Sequence, residues 1–364
     1  MKQSLLGVSV IICCHNSARV LCATLEHLKA QQVPREIDWE VIVVDNASTD
    51  DTTKTALSCW HDDSPVPLRL VSEPRIGLTN ARMCGFRVAK YEVISFVDDD
   101  NWVAPDWVAQ VSEIMSVNPD LGAVGSFNEP VAECVPPDWF DDYAWYYYAI
   151  VRECDVASGR ISLPPTTLTG AGMSIRKKAW QQLIAHGFVP YATDRVGKKL
   201  SGCGDRELTL VIYLSGWQLD IDRRLRLKHF MPAPRLQWRY LRRLARGTAA
   251  SLLTMRTYEP ALPGYSREAW IKETWPWQVM RVARFFFSRP ALLRAWLFSA
   301  NEGDRNVIDA ERQIGTIIGL LQLRGLYNFR RRVVRTARWK KDSCIEVVSE
   351  PERKAQTAVP QITP

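Results

Sequence analysis

Residues 94–102 read ISFVDDDNW, a short apolar run that ends in the consecutive aspartates Asp98, Asp99 and Asp100. Such a run is typical of a strand buried in a sheet, and open α/β folds bind ligands beside the carboxyl ends of such strands. Carboxylate oxygens at that edge suit Mg²⁺ or Mn²⁺, which proteins usually hold through one or two carboxylates plus substrate phosphates. A strand followed by a solvated acidic turn explains the same pattern, so this segment alone leaves its role open.

Other segments repeat the arrangement of an apolar run that ends in polar residues. The runs cover Val8–Cys14, 40–45, Leu68–Ser72 and 121–125. Between the first two, leucines recur at the spacing of an amphipathic helix, at Leu21, Leu25 and Leu28. Continuous apolar runs separated by helical segments predict an α/β fold with a mainly parallel sheet that is buried on both faces.

Four short motifs carry a resemblance to a known family. They read VIICCHN at 10–16, VVDNASTD at 43–50, GLTNAR at 77–82 and FVDDD at 96–100. In this order and at these spacings the chain resembles the nucleotide-sugar half of a family 2 glycosyltransferase, over roughly residues 7–230. The resemblance implies the GT-A fold, a nucleotide-diphosphate sugar as donor, Mg²⁺ or Mn²⁺ as cofactor, and transfer with inversion.

The resemblance assigns donor-binding roles to residues at the ends of these motifs. Asp45 resembles the family acid that accepts hydrogen bonds from the base or ribose, although a turn acid before the next helix is the alternative. Arg75 resembles a cation that contacts the nucleotide, and Arg82 faces either the diphosphate or an acidic neighbour; an ordinary surface ion pair is the alternative for each. Gly170 and Gly172 indicate close approach of the donor or a bulge. The other expected donor-binding residues are Asn16, Asp98 and Asp99.

The metal is expected at Asp100, with Asp98 and His229 as further ligands. Alternate residues of an extended strand share a face, which pairs Asp98 with Asp100, whereas the other alignment to the family pairs Asp99 with Asp100. Both alignments keep Asp100. His229 follows the strand-like run 225–228, from which many enzymes of this fold bring a late histidine to the metal or diphosphate. A hydrogen-bonded core histidine is the alternative.

Residues 202–208, GCGDREL, resemble the family segment that opens a helix under the acceptor. By position, Asp205 matches the acid that deprotonates the acceptor hydroxyl, and Glu207 matches the second acid. Simple helix capping is the alternative for both carboxylates. Gly204 replaces a family glutamate, and Met83 stands where relatives often have asparagine. These departures keep open a second hypothesis, a non-catalytic nucleotide-sugar-binding or scaffold subunit.

The C-terminal third is strongly basic. Residues 223–341 contain 26 Lys and Arg against 7 Asp and Glu, a net charge of +19. Such an imbalance implies an anionic partner. Residues 239–246 and 281–287 mix cations with apolar and aromatic residues, as interfacial helices do, and no nucleic-acid-binding signature accompanies them. We therefore expect an anionic membrane surface and no nucleic acid as partner; a solvated face packed on the catalytic domain is the alternative.

Residues 136–148 are unusually aromatic. Tyrosine and tryptophan rings suit a half-apolar, wet site, so this segment either shapes the acceptor pocket, meets a lipid carrier, or packs over the sheet edge. The acceptor implied by the family is a glycan or a lipid-linked molecule in cell-surface polysaccharide or glycolipid synthesis.

Three parts are predicted: a GT-A domain at 1–230, a basic helical region at 231–341, and a disordered tail at 342–364. The longest apolar helix candidate, 314–323, is too short to span a membrane, and no signal peptide is expected before the first strand. Nine cysteines without C-x-x-C spacing, with Cys13, Cys14 and Cys59 in core elements, indicate reduced thiols. We expect a cytoplasmic protein, peripheral on the inner face of the cytoplasmic membrane.

Overall fold

A central sheet organises the molecule, in a computed structural model that describes residues 5–61, 63–147, 151–152, 157–161, 167–195, 200, 202–262 and 264–340. Over these residues the sheet has nine strands. They are β1 (Val8–Cys14), β2 (Trp39–Asp45), β3 (Leu68–Ser72), β4 (Val93–Asp98), β5 (Asn101–Val103), β6 (Leu121–Ala132), β7 (Gly159–Ile161), β8 (Ser174–Arg176) and β9 (Gln218–Met231).

The helices cover the sheet and form most of the C-terminal third. Those interleaved with the strands are α1 (Leu21–Lys29), α2 (Thr52–Cys59), α3 (Leu78–Val88), α4 (Trp107–Val117), α5 (Phe140–Tyr143), α6 (Lys177–Ala185) and α7 (Gly204–Leu214). Those after the last strand are α8 (Trp238–Arg256), α9 (Arg267–Lys272), α10 (Trp275–Ser288), α11 (Pro290–Phe298), α12 (Arg305–Gln322) and α13 (Tyr327–Arg335).

The strand order is β3-β2-β1-β4-β8-β6-β9-β5, with β7 paired to β9. The half made of β3, β2, β1 and β4 is parallel, as the apolar runs predict. The other half is mixed, because β8 is antiparallel to both β4 and β6, and β5 is antiparallel to β9. The predicted α/β class is confirmed.

Both faces of the parallel half are buried, which explains why its strands read as unbroken apolar runs. Within β1, Ile11 packs on one face in a cluster that contains Phe86 of α3. Its neighbours Val10 and Ile12 pack on the opposite face in a cluster that contains Leu25 of α1. The alternation follows from the two-residue period of a strand. Because these four strands are parallel, their polar carboxyl ends gather at one edge of the sheet.

The basic helical region shares its core with the sheet domain. Met231, at the end of β9, packs in one cluster with Trp238 and Leu241 of α8. Trp339 packs edge-on against Phe188, with ring centroids 5.7 Å apart. The boundary predicted at residue 230 therefore lies inside a continuous packed region, and the predicted tail at 342–364 lies outside the described residues.

A disulfide joins Cys22 of α1 to Cys59 of α2, with Cα atoms 5.7 Å apart. The prediction of a reduced thiol at Cys59 is therefore wrong for this structure. The two cysteines are 37 residues apart and become neighbours only when the two helices pack together. Among the helices that the structure describes, none is long and apolar enough to cross a membrane.

Candidate active site

A cleft of about 430 Å³ opens at the carboxyl ends of the parallel strands. The strand ends contribute Cys13, His15, Asn46 and the three aspartates Asp98, Asp99 and Asp100 to its lining. Later segments of the chain supply further lining residues: Gly170, Asp194, Asp205, His229, Arg235, Tyr240 and Thr248. The cleft therefore brings together the acidic strand end and the predicted acceptor-side carboxylate, which are about a hundred residues apart in sequence.

Pairing of β5 with β9 brings the late histidine to the acidic strand end. Asn101 of β5 is opposite His229 of β9, and the N–H of Phe230 donates to the carbonyl of Asp100 at 2.8 Å. As a result, His229 Nε2 lies 3.8 Å from Asp100 Oδ2, and both residues are only 4% exposed. The turn between β4 and β5 is fixed by the Asp98 N–H, which donates to Asn101 Oδ1 at 3.0 Å.

The three aspartates have different electrostatic environments. Burial and the charge of Asp100 raise the pKa of Asp98, and they raise that of Asp99 to about 7. Asp99 also accepts a hydrogen bond from the Ser17 hydroxyl. At Asp100, His229 and Arg235 outweigh burial and lower the pKa of the carboxyl. Asp100 is therefore the carboxylate of the three that the site holds most firmly ionised.

Arg235 completes the surroundings of Asp100, and motif reasoning did not find it. It lies on a short 3₁₀ helix, Ala233–Leu236, directly after β9. Its Nη1 atom is 2.8 Å from Asp100 Oδ2. The residue follows the stretch that carries the family resemblance, so the sequence offered no signal beyond its position six residues after His229.

The residues around Asp100 can form part of a cation site. Within the described part of the chain, no group of three or more His, Cys, Asp or Glu side chains is arranged to hold a metal ion. The closely placed pair is Asp100 and His229, and Asp98 does not join it as a third ligand in this arrangement. A carboxylate and an imidazole fit a cation that takes its other ligands from phosphate and water.

A second charged cluster in the cleft contains Arg82. Its buried guanidinium is 3.3 Å from Asp194 Oδ2, so it pairs with an acidic neighbour. The Asp194 carboxylate also accepts the N–H groups of Cys203 and Gly204 at 2.7 and 2.8 Å. It therefore caps the start of α7 from outside the helix. Asp194 was not singled out from the sequence, because no motif surrounds it.

This cap explains the departure from the family pattern at Gly204. A Cβ atom at residue 204 would collide with the Asp194 carboxylate, which occupies the space that a side chain would need. Asp194 thus supplies a carboxylate at the helix start where the family segment has a glutamate. The loss of one acid at residue 204 does not leave this part of the cleft without negative charge.

Asp205 and Glu207 have opposite surroundings although both are on the first turn of α7. Asp205 lines the cleft, and its Oδ2 accepts the N–H of Gly170 at 3.0 Å. Glu207 is buried away from the lining. It accepts the N–H groups of Tyr191 and Ala192 at 2.7 and 3.0 Å, and the Tyr258 hydroxyl. Burial raises the pKa of Glu207 to about 7.

Two of the predicted donor-binding residues make contacts within the protein. Asp45 accepts the N–H of Ser48 at 3.2 Å, as a turn acid does. The exposed Arg75 forms an ion pair with Glu73, with Nε to Oε1 at 2.8 Å. Neither residue lines the described cleft, whereas Asn46, which the sequence interpretation passed over, does. The Asn46 amide donates to the carbonyl of Arg75 at 2.8 Å and so fixes this loop.

Asn16 and Gly172 have unusual backbone conformations. Asn16 has φ of 56° and accepts the N–H of Thr49 at 2.8 Å. Gly172 has φ of 76°, and a Cβ atom there would lie 2.6 Å from Leu227 Cδ2, so packing within the sheet requires glycine. Its neighbours Gly170 and Ala171, rather than Gly172 itself, line the cleft.

Part of the aromatic segment packs on α8 and reaches the cleft. Trp139 contacts Trp238 edge-on at 5.3 Å between ring centroids. Tyr147 stacks on Tyr240 at 6.2 Å, and both tyrosines line the cleft. Packing and pocket formation are therefore both observed for residues 136–147, and Tyr148 lies outside the described residues.

Comparison with known proteins identifies the family. Residues 9–160 match the family described as glycosyl transferase family 2. Polypeptide N-acetylgalactosaminyltransferase 13 of Homo sapiens is 25% identical over 234 residues, which cover 59% of this chain and 40% of that protein. Chondroitin synthase of Escherichia coli is 29% identical over 121 residues, covering 33% and 17%. The chain thus spans less than half the length of these relatives.

Two solved structures share the fold at low sequence identity. The mannosyltransferase PcManGT from Pyrobaculum calidifontis, in complex with GDP-Man and Mn²⁺, has a TM-score of 0.52 at 18% identity and covers 91% of this chain and 87% of its own. GalNAc-T7 with UDP, GalNAc and Mn²⁺ has a TM-score of 0.50 at 18% identity, covering 74% and 54%. Together with the four ordered motifs, these findings show a glycosyl transferase family 2 match at residues 9–160 and the GT-A fold.

Proposed function

We propose that this protein is an inverting glycosyltransferase that moves a sugar from a nucleotide-diphosphate sugar to an acceptor hydroxyl. The observation that carries the proposal is the shared cleft, which Asp100, His229 and Asp205 all line. Relatives with this fold are solved with Mn²⁺ and with UDP or GDP-Man, which supports a nucleotide-sugar donor and a divalent cation here.

Asp100 and His229 would hold Mg²⁺ or Mn²⁺, with Asp98 as a nearby negative charge. The ion, when bound, neutralises the charge that develops on the departing nucleoside diphosphate. The low pKa of Asp100 keeps its carboxylate available to a cation at neutral pH. Asn46 and His15 also line the cleft, and the nucleoside would be placed beside them.

Asp205 is the proposed general base. Its carboxylate takes the proton of the acceptor hydroxyl as that oxygen attacks the anomeric carbon, and the bond from this carbon to the diphosphate oxygen breaks on the opposite face. The electron pair leaves with the nucleoside diphosphate, and the configuration at the anomeric carbon is inverted. The N–H of Gly170 orients the carboxylate at 3.0 Å.

An assay for released nucleoside diphosphate tests this function. The assay uses a panel of UDP-, GDP- and dTDP-sugars as donors, with glycan and lipid-linked acceptors. Metal-dependent release that a chelator abolishes is expected with at least one donor. Asp205→Asn should retain donor binding and lower turnover by about 10²-fold or more, because a general base contributes that much. Full transfer by this variant contradicts the base assignment. Donor binding without any turnover in the unchanged protein favours the alternative, a non-catalytic binding or scaffold subunit.

We further propose that the protein acts at an anionic membrane surface, on the inner face of the cytoplasmic membrane, in cell-surface polysaccharide or glycolipid synthesis. The support is the basic C-terminal third and the side chains that α10 and α11 expose. Phe287 is 88% exposed and Phe298 is 78% exposed, and Trp277 and Met280 share a face of α10 with Phe287 and the exposed Arg284. Aromatic and cationic side chains in this combination suit the interface of a bilayer.

A further inference from the structure

The guanidinium of Arg235 lies where the two expected ligands of a cation meet. Its Nη1 atom is 2.8 Å from Asp100 Oδ2 and 3.2 Å from His229 Nε2. These two ligand atoms are 3.8 Å apart. Asp100 and His229 would hold a cation close to the position that Nη1 occupies. The Arg235 cation and a divalent ion therefore exclude each other from this point.

The hydrogen bonding of His229 is incomplete while Arg235 stays there. Asn101 Nδ2 lies 2.9 Å from Nδ1 of the ring, and Arg235 Nη1 lies 3.2 Å from Nε2, so a nitrogen donor faces each ring nitrogen. A neutral imidazole accepts at only one nitrogen. At a neutral ring, one of these two donors therefore lacks an acceptor.

We propose that Arg235 is a movable cation that holds Asp100 in the donor-free protein and passes to the donor diphosphate when a divalent ion takes its place. The inference rests on the proposed function, since it requires a metal–diphosphate donor. The guanidinium fork matches phosphate oxygens, and the Arg235 side chain is 34% exposed whereas Asp100 is 5% exposed, so the arginine is the partner able to move.

The exchange couples the metal ion to the donor. Mn²⁺ alone has to displace Arg235 and break its ion pair with Asp100. When a nucleoside diphosphate binds as well, the displaced cation gains phosphate oxygens. Each ligand therefore raises the affinity of the other, and the coupling is reciprocal.

Calorimetric titration of the full chain with Mn²⁺, alone and with UDP or GDP, tests the exchange without requiring turnover. Arg235→Gln should bind Mn²⁺ alone at least about tenfold more tightly than the unchanged protein, because a neighbouring positive charge has been removed. The same variant should bind the nucleoside diphosphate more weakly in the presence of Mn²⁺. Arg235→Lys keeps the charge and should keep Mn²⁺ binding weak.

Arg239→Gln is the matched control. Arg239 is exposed on the first turn of α8 and donates to Gln237 Oε1 at 2.7 Å. The substitution removes the same charge four residues away, so it should leave Mn²⁺ affinity unchanged. An equal rise in Mn²⁺ affinity in Arg235→Gln and Arg239→Gln would show a general charge effect and overturn the specific role of Arg235.

Chemical modification of the unchanged protein provides a second test that does not depend on folding of a variant. Phenylglyoxal modification of Arg235, followed by peptide mass spectrometry, should be faster with saturating Mn²⁺ and slower with Mn²⁺ plus UDP. A rate that neither addition changes, or equal Mn²⁺ affinity in Arg235→Gln and unchanged protein, overturns the exchange. Transfer in the donor panel would stand in either case, so the two proposals fail separately.

Discussion

Two carboxylates on one turn of a helix show how strongly position decides chemistry. Asp205 faces the cleft, where an acceptor hydroxyl can reach it, whereas Glu207 is surrounded by donors from two other segments. Family resemblance treats both as acids of one motif. In the structure, Glu207 ties residues 191–192 and Tyr258 to the start of α7, two residues from Asp205.

The raised pKa of Glu207 makes protein stability depend on pH. With an ordinary value of 4.5 and a folded value of about 7, the folded protein binds the proton more tightly than the unfolded chain. The stabilisation is complete below pH 4.5 and is lost as pH rises through 7. A difference of this size corresponds to about 3 kcal/mol. In urea unfolding, the unchanged protein should therefore lose about that amount of stability relative to Glu207→Gln as pH rises across this window.

Other buried carboxylates, such as Asp99, titrate in both proteins and cancel in the difference. Glu268→Gln is the matched control, because its exposed carboxylate pairs with Lys272, which lowers its pKa below 4.5. It should leave the slope between pH 4.5 and 7 unchanged. Parallel stability curves for unchanged protein and Glu207→Gln would contradict the assignment.

At the scale of elements, local patterns predicted the strands and long-range contacts decided the rest. β1 to β4 could be predicted because each is an apolar run bounded by polar residues. β5 could not, because three residues become a strand only when β9 lies beside them. The same reason explains why the sequence did not predict the contacts of Asp194 and Arg235 or the Cys22–Cys59 disulfide. Their partners are distant in sequence, and no motif marks them.

The close contact between α8 and α12 requires glycine in α12, so substitution of these glycines tests how the C-terminal region packs. A Cβ atom at Gly315 would overlap the carbonyl oxygen of Arg246, and one at Gly319 would lie 2.5 Å from the carbonyl oxygen of Ala250. Gly315→Ala should therefore destabilise the protein by about 1–3 kcal/mol, as overpacking does. If the helix were exposed, the same substitution would instead stabilise the protein by up to about 1 kcal/mol, because alanine has the higher helix propensity. Urea unfolding measures the difference.

Ile317→Ala, on the exposed side of the same helix, is the control and should change stability by about 0.5 kcal/mol or less. Stabilisation by Gly315→Ala would show that the two helices are not held this closely in solution. At the same contact, the buried carboxylate of Glu311 in α12 forms ion pairs with Arg242 and Arg246 of α8. These ion pairs support close packing of the two helices.

At the scale of the whole molecule, the cleft depends on residues from Cys13 to Thr248. The family match ends at residue 160, yet Arg235, Tyr240 and Thr248 line the cleft. The basic region is therefore part of the site as well as a candidate membrane-binding surface. A chain shortened to residue 230 would lose one wall of the cleft together with that surface.

Sedimentation with lipid vesicles tests the proposed membrane surface. The unchanged protein should bind vesicles that contain anionic lipid and be largely released at 1 M salt, because the Debye length falls from ~8 Å at 0.15 M to ~3 Å. Replacing Trp277, Phe287 and Phe298 with serine should remove the salt-resistant fraction. Serine at Leu57 and Val135, which are also exposed but lie in the sheet domain, should have no effect.

Equal partitioning to neutral and anionic vesicles, unaffected by salt, would contradict an electrostatic membrane contact. The basic helices would then serve only as the wall of the cleft and as the core that they share with the sheet. Transfer to a water-soluble acceptor should be insensitive to the three serine substitutions, since none of these residues lines the cleft.

The pairing of β5 with β9 also constrains when the site can exist during synthesis. Asn101 meets His229, so 128 residues leave the ribosome between the two halves of this contact. At a synthesis rate of ~5–20 residues per second, His229 follows the three aspartates about 6–26 s later, and Arg235 follows shortly after. The nascent chain therefore carries the acidic turn without His229 and Arg235, and the cation pocket is assembled only after residue 235 has been made.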